Sequence, residues 1–266
     1  MSAEDPTRAR LAALVVGSDP VLDIAEAALL LAALDRPGVD LAPYRDHVAV
    51  LARRVGPEPG AVDERLFVRH RYGGDTETYD DPRNANLTHV IDRRRGLPVA
   101  LGVLYIHVAR AAGLAAHGLN VPGHFLVAIG SADVMAVRDP FNGGRAVDAA
   151  ELRRLVAAVL GPGAEADPAM LAPMNDRGVL MRLENNIKVR AVRDGDFPRA
   201  AAVLEAMVVL GPGEPALWRE LGEVLGRCDR LLAAASALER SLALARNAEE
   251  ARDTELVLRS LRGRLN

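Results

Sequence analysis

The chain has 266 residues, 50% of them hydrophobic, with a formal net charge of −3 and a pI near 6.1. That length supplies ample core without a disulfide or a metal, and the slight acidity gives no global attraction to a phosphate backbone. One cysteine, Cys228, cannot make an internal disulfide and suits a reducing compartment, while the longest apolar stretch, 25–34, is broken by Glu26 and is too short to cross a bilayer. Glu4 and Asp5 precede only a short apolar run, Leu11 to Val16, which is no secretory leader. The expectation is a cytoplasmic protein with no membrane segment, no cofactor and no metal.

Asp19-Pro20 predicts a helix start, and the apolar run 21–34 ends at Arg36-Pro37-Gly38. A second helix is expected after Asp40, with Tyr44, Val48, Leu51 and Val55 on one face and Gly56 closing it. A third is expected over 61–70, followed by the Gly73-Gly74 loop, and Asn84 is placed as the cap of a fourth over 85–95. The run 97–112 is the most apolar of the chain, with Leu101, Leu104, Tyr105, Val108 and Ala112 giving a broad buried surface up to Gly113.

Three segments then have strand character, 118–121, 124–129 and 134–137, separated by Pro122-Gly123 and Gly130-Ser131. Antiparallel pairing of the last two brings His124 and Asp139 to one edge of the sheet. The segment 148–160 reads as a helix and 161–173 as a linker. Beyond it a period of about 34 residues appears. Trp218, Leu221, Gly222, Ala234 and Leu238 occupy the marker positions of a tetratricopeptide repeat. One period earlier Gly195-Asp196-Phe197, Ala200, Leu204 and Pro212 fit, whereas Glu184 stands at the tryptophan position and Ile187 at the leucine position. A capping helix is expected over 248–261, and two repeats should pack on the rest of the chain because they bury little alone.

Four motifs follow in order: Tyr79-Asp80-Asp81-Pro82-Arg83-Asn84, Asp92-Arg93-Arg94-Arg95-Gly96-Leu97-Pro98, Pro122-Gly123-His124-Phe125-Leu126-Val127, and Asp139-Pro140-Phe141-Asn142-Gly143-Gly144. Together they resemble the SirB-type transglutaminase-like family, whose members carry C-terminal tetratricopeptide repeats. The resemblance implies an α+β fold: a helical N-terminal part (1–78), a papain-like transglutaminase core (79–160) and a helical repeat tail (177–266). In active relatives of such a core a cysteine sits at the first turn of the central helix, where the helix dipole and an imidazole favour the thiolate. Here Pro98 holds that position, as the family usually has it, and no Cys, Ser or Thr occurs from Arg93 through Leu104.

His124 and Asp139 are therefore the candidate dyad, read either as an oriented acid-base pair or as a hydrogen-bonded relic that stabilises the sheet edge. Pro98, Arg83 and Asn84 are candidate cleft residues; Arg83 has the geometry to hold a carboxylate in two bonds, with capping and anchoring as the simpler role. Arg182, Asn186 and Arg190 recur every four residues on the first repeat helix, as a peptide-binding face or a solvated one. His89 and Asp92 lie one turn apart, but a metal site would need a third ligand such as His124. Cys228 reads as a small buried hydrophobe. Arg93, Arg94 and Arg95 make the one local argument for nucleic acid, and none is expected as a partner. The leading function is a non-catalytic module that binds a protein or peptide, with regulation as its setting; the alternative is a hydrolase or transferase that uses His124 and Asp139 without a covalent intermediate.

Overall fold

The computed structural model describes residues 5–17, 22–121, 123–131, 134–161 and 172–265. They fall into two compact units: residues 16–183, which hold the sheet, and residues 1–15 with 184–266, which are helical.

The chain opens with α1 (Pro6–Leu14), capped by the Asp5 carboxylate, and α2 (Ile24–Asp35), capped by Asp23. The expected start at Asp19-Pro20 lies outside the described residues. Helix α2 is apolar on nearly every face and buried accordingly. Helix α3 (Ala42–Ala52) stops short of Gly56, because Arg53 turns extended and Arg54 takes a left-handed backbone, φ 52°. Val48 and Leu51 are on its buried face as expected, but Val55 is off the helix. The third predicted helix forms as α4 (Pro59–Asp63), which widens into a π-helical turn, Glu64–Arg69.

Strand β1 (Gly73–Gly74) pairs in parallel with β2 (Arg95–Gly96). Between them Asp81 caps a 3-10 turn, Pro82–Asn84, and Asn86 caps α5 (Leu87–Arg93) by accepting from the Thr88 and His89 amides. The cap is therefore Asn86, not Asn84. Pro82 starts its own turn, which draws the Asn84 amide back to the Asp81 carbonyl at 3.0 Å, so the helix can begin only after it. Helix α6 (Pro98–Ala111) follows, with proline at its first position, where no amide is needed. Its side chains are buried almost throughout, and it packs on α2, α3, α5 and the sheet.

The sheet has the order β6-β5-β4-β3-β7 and is antiparallel: β3 (Ala115–Leu119), β4 (Leu126–Gly130), β5 (Met135–Asp139), β6 (Arg145–Ala146) and β7 (Pro173–Met174). The first strand lies earlier than predicted. Leu119 pairs with Leu126, so the chain must already be turning at Val121. Strand β4 is central and wholly buried, its alternate residues facing opposite ways. Leu126 and Ala128 meet Val156 of α7 (Ala149–Leu160), which leaves Val127 and Ile129 for the α6 side. Residues 162–171 of the predicted linker lie outside the described residues, but Pro173 and Met174 form a strand that pairs with Leu119 and Gly118.

Helix α8 (Asp176–Arg193) spans the division at residue 184. The helical unit continues with α9 (Phe197–Leu210), α10 (Pro215–Arg227), α11 (Leu231–Leu244) and α12 (Ala248–Leu265), each packing on the next. At the α10–α11 crossing a Cβ on Gly222 would lie 2.6 Å from the Leu238 side chain and 3.1 Å from the Ala234 carbonyl, so these marker residues form one close contact. Trp218, at the tryptophan position of the motif, is only half-buried, its indole N–H donating to the Pro212 carbonyl at 3.0 Å. Among the described residues no helix is long and apolar enough to cross a membrane.

Candidate functional site

Asp139 ends β5 and His124 stands two residues before β4, so the pairing of Val127 with Arg138 carries both to the same sheet edge. His124 Nε2 lies 2.9 Å from Asp139 Oδ2. The Asp139 carboxylate is almost fully buried and also accepts from the Phe141 and Asn142 amides and, at 2.7 Å, from Asn142 Nδ2. Burial opposes its charge, but the bonds from His124 and Asn142 outweigh that and hold its pKa below the ordinary carboxylate value. With Nε2 given to Asp139, Nδ1 is the nitrogen of His124 left for other chemistry.

The start of α6 is tied to this corner through the backbone. Gly96 is paired with Gly74, and the Gly74 amide donates to the Phe141 carbonyl at 3.1 Å. Gly96 has no room for a side chain, since a Cβ there would meet a Val90 methyl at 2.9 Å and the Asn84 carbonyl at 3.3 Å. Pro98, two residues on, is buried and offers only its ring. Phe125, next to His124, is fully buried in a slot between helix and strand: a Cβ on Gly118 would come within 2.7 Å of its ring, and one on Gly102 of α6 closer still. Tyr79, 43% exposed, meets Phe141 edge-on at 5.8 Å and gives the corner an aromatic rim.

Arg182 bears directly on this corner. Its guanidinium donates to the His124 carbonyl at 2.9 Å and lies 5.7 Å from the centre of the Phe125 ring. Burial lowers its pKa, with partial compensation from Tyr79. Arg190 is buried and donates to the carbonyl and side-chain oxygens of half-buried Asn186, so this part of the face is packed and not solvated. Asn84 is fully buried: Nδ2 donates to the Thr78 carbonyl at 2.6 Å and Oδ1 accepts from Arg93 at 2.8 Å. Arg83 is exposed, and the carboxylate it grips is that of Asp81.

The other candidates separate from the corner. Asp92 is engaged by the Tyr44 hydroxyl at 3.0 Å and by Arg36 at 3.4 Å. Among the described residues no three His, Cys, Asp or Glu side chains gather as metal ligands. Cys228 caps the end of α10 half-buried, and burial pushes its thiol pKa up, away from the reactive thiolate. In sequence, Asn142 reads as part of a turn and Arg182 only as part of a repeat-helix face, so neither stands out as a holder of the dyad. Asn142 follows Asp139 by three residues, a spacing at which an aspartate commonly holds the backbone beyond it, and this was the available signal. The reach of Arg182 to residue 124 leaves no such local trace.

The family model of the transglutaminase-like superfamily matches residues 49–185, and that of a tetratricopeptide repeat matches residues 187–260. A UPF0162 protein of Xylella fastidiosa (strain 9a5c) is 35% identical over 217 residues, 77% of each chain. F-box only protein 21 of Mus musculus is 26% identical over 144 residues, 51% of this chain and 22% of that protein. Among solved structures, menin shares 10% identity, with 93% of this chain and 72% of that one superposed at a TM-score of 0.44. With one family model spanning half of the chain and a relative matched over most of both sequences, the chain belongs to the UPF0162, SirB-type family of transglutaminase-like proteins with C-terminal tetratricopeptide repeats.

Proposed function

We propose that this protein is a non-catalytic interaction module, in which the corner around His124 binds a protein or peptide segment and the repeat helices, in their own unit, offer a separate surface for protein association. The observation that carries the reading is the first turn of α6, where Pro98 stands buried and no thiol or hydroxyl occurs from Arg93 to Leu104. A covalent acyl transfer needs a nucleophile within reach of the base. Tetratricopeptide repeats generally mediate protein association, which supports the binding side of the reading. The aromatic rim of Tyr79 and Phe141 at the Asp139 turn suits a peptide side chain more than a charged small molecule.

A hydrolase or transferase without a covalent intermediate is the second reading, favoured by the orientation of His124: Asp139 holds Nε2, so Nδ1 is placed to take a proton from water. One experiment separates the two. Peptides selected from a random display library should bind the parent protein, and Arg182→Ala, which releases the His124 backbone, should weaken them by about ten-fold. Turnover of a panel of esters and amides that disappears in His124→Ala would instead establish the enzyme and overturn the non-catalytic reading.

A further inference from the structure

Several solvent-facing arginines of this chain are paired with carboxylates, as Arg145 is with Glu151 and Arg246 with Glu214. One region of the sheet-bearing unit differs. Arg53, Arg54, Arg65, Arg69 and Arg71, with Arg94 and Arg95 across β1 and β2, have no carboxylate partner among the described residues. They are contiguous. Arg65 donates to the carbonyls of Arg53 and Arg54, the Gly73 amide to the carbonyl of Arg94, and Arg95 to the carbonyl of Gly74. His70 lies among them, edge-on to His47 at 5.7 Å, and the charges of Arg94, Arg65 and Arg69 add to burial in lowering its pKa.

The backbone supplies a second, independent observation. Arg54, Arg71 and Arg94 have φ of 52°, 56° and 57°, three of the four non-glycine residues with a left-handed backbone among those described. Glycine takes that conformation without penalty, so each arginine is kept against a local preference. Arg94 is also held in place. Its guanidinium lies over the Tyr72 ring at 4.9 Å and donates to His47 Nε2 at 2.7 Å and to the Tyr72 hydroxyl, all uncharged groups. It borders a groove of about 640 Å³ lined also by Arg36, Tyr44, His47 and Asp92, with Asp92 already taken by Tyr44 and Arg36 and with Asp40 on the rim.

We infer that this arginine face of the sheet-bearing unit, formed by Arg53, Arg54, Arg65, Arg69, Arg71, Arg94 and Arg95, is a recognition surface for an acidic peptide segment of a partner protein. Its carboxylates are taken by Arg54, Arg71 and Arg94, and its apolar side chains by Val50 and Val68. Those two valines, 41% and 63% exposed, favour a peptide over nucleic acid, since Tyr72 is buried and the rings of Tyr44, His47 and His70 are only half-exposed, which leaves bases no open face on which to stack. A net charge of −3 on the whole chain also disfavours a long polyanion while leaving a local basic face effective. The inference does not depend on how the His124 corner is read, because the two share no residue.

The test is fluorescence anisotropy with a labelled decapeptide of glutamates around two leucines, against the same peptide with glutamine for glutamate. The acidic peptide should bind, weaken as salt is added, and bind about ten-fold less tightly to the double variant Arg54→Gly, Arg71→Gly. Glycine suits both backbone positions, so that variant should keep or raise its melting temperature while losing the ligand. Arg94→Lys, which removes the planar guanidinium from Tyr72 and keeps the charge, should also weaken binding. Unchanged binding by the double variant, equal binding of the glutamine peptide, or no binding of the acidic one would overturn the inference. Tighter binding of single-stranded DNA than of the acidic peptide would overturn it too, in favour of nucleic acid.

Discussion

The corner around Asp139 and the helix crossing at Gly222 are both built on short sequence motifs, and they are held by opposite means. At the corner a buried carboxylate accepts from His124, from two backbone amides and from the Asn142 side chain, so its position is fixed by the directions of hydrogen bonds. At the crossing there is no such chemistry: Gly222 lies against Leu238 and the Ala234 carbonyl, and what matters is the absence of a side chain. A polar corner should therefore tolerate a change of shape that keeps its acceptors. A shape-based contact should tolerate a change of chemistry that keeps its volume, and little else.

The largest expected effect follows from that asymmetry. Gly222→Val should destabilise the protein by about 3 kcal/mol, because the new methyls meet Leu238 inside van der Waals contact and helix α11 must move. The urea midpoint read by circular dichroism checks it, and a change of under about 1 kcal/mol would mean that the crossing gives way easily. Asp139→Ala comes next, at about 2 kcal/mol, since it leaves the Phe141 and Asn142 amides without their acceptor. Asp139→Asn should cost less than half of that, because one oxygen can still accept from those amides. An equal cost for Asn and Ala would show that the charge, and not the acceptor geometry, holds the corner.

The fold was legible where local chemistry decides it. A long apolar run announced α6, and short apolar runs between turn signals placed His124 and Asp139 at one sheet edge. It was illegible where two signals competed: Asn84 and Asn86 are both good caps, and only the turn started by Pro82 decides between them. Arg54 ends α3 in a left-handed backbone that sequence would reserve for a glycine, so Gly56 was read as the stop. In the candidate site the dyad was marked by its motif, whereas the role of Arg182 rests on contact with residue 124, a separation no periodicity reports. The repeat unit was read from spacing, which finds Gly222 and Leu238 but says nothing about how deeply Trp218 is buried.

Acid titration sharpens the contrast, because the two units differ in buried titratable groups. His47 is lowered to about 4 by burial and by the charges of Arg94 and His70, and burial lowers His70, His89, His107 and His117 as well. A histidine with a depressed folded pKa contributes stability above its unfolded value near 6.5 and loses it as the pH falls toward 4. Asp139, also depressed, contributes above its unfolded value of 3.8 and loses its share only below that. Stability should thus fall in two steps. His47→Gln should remove about 1 kcal/mol of the upper one, a figure discounted because the imidazole is half in solvent, and leave the lower untouched. Urea midpoints at pH 7, 5 and 3 test this, and an unaltered upper step in His47→Gln would contradict it.

The smallest effect is expected at Trp218, the residue that most marks the repeat in sequence. Its indole is half-buried, so truncation forfeits only part of its apolar burial together with the bond from Nε1 to the Pro212 carbonyl. Trp218→Ala should cost about 1 to 2 kcal/mol, against about 3 to 5 for a fully buried aromatic side chain. Trp218→Phe keeps much of the surface and loses the bond, so it should cost about 0.5 to 1 kcal/mol. Because Trp218 is the sole tryptophan, both must be followed by circular dichroism and not by indole fluorescence, while fluorescence of the parent protein gives an independent check. An emission maximum typical of a partly hydrated indole, quenched by acrylamide, is the expected result. A blue-shifted, unquenchable emission together with a loss above 3 kcal/mol would mean that the indole is sealed between helices, and the repeat would then depend on Trp218 as strongly as on Gly222.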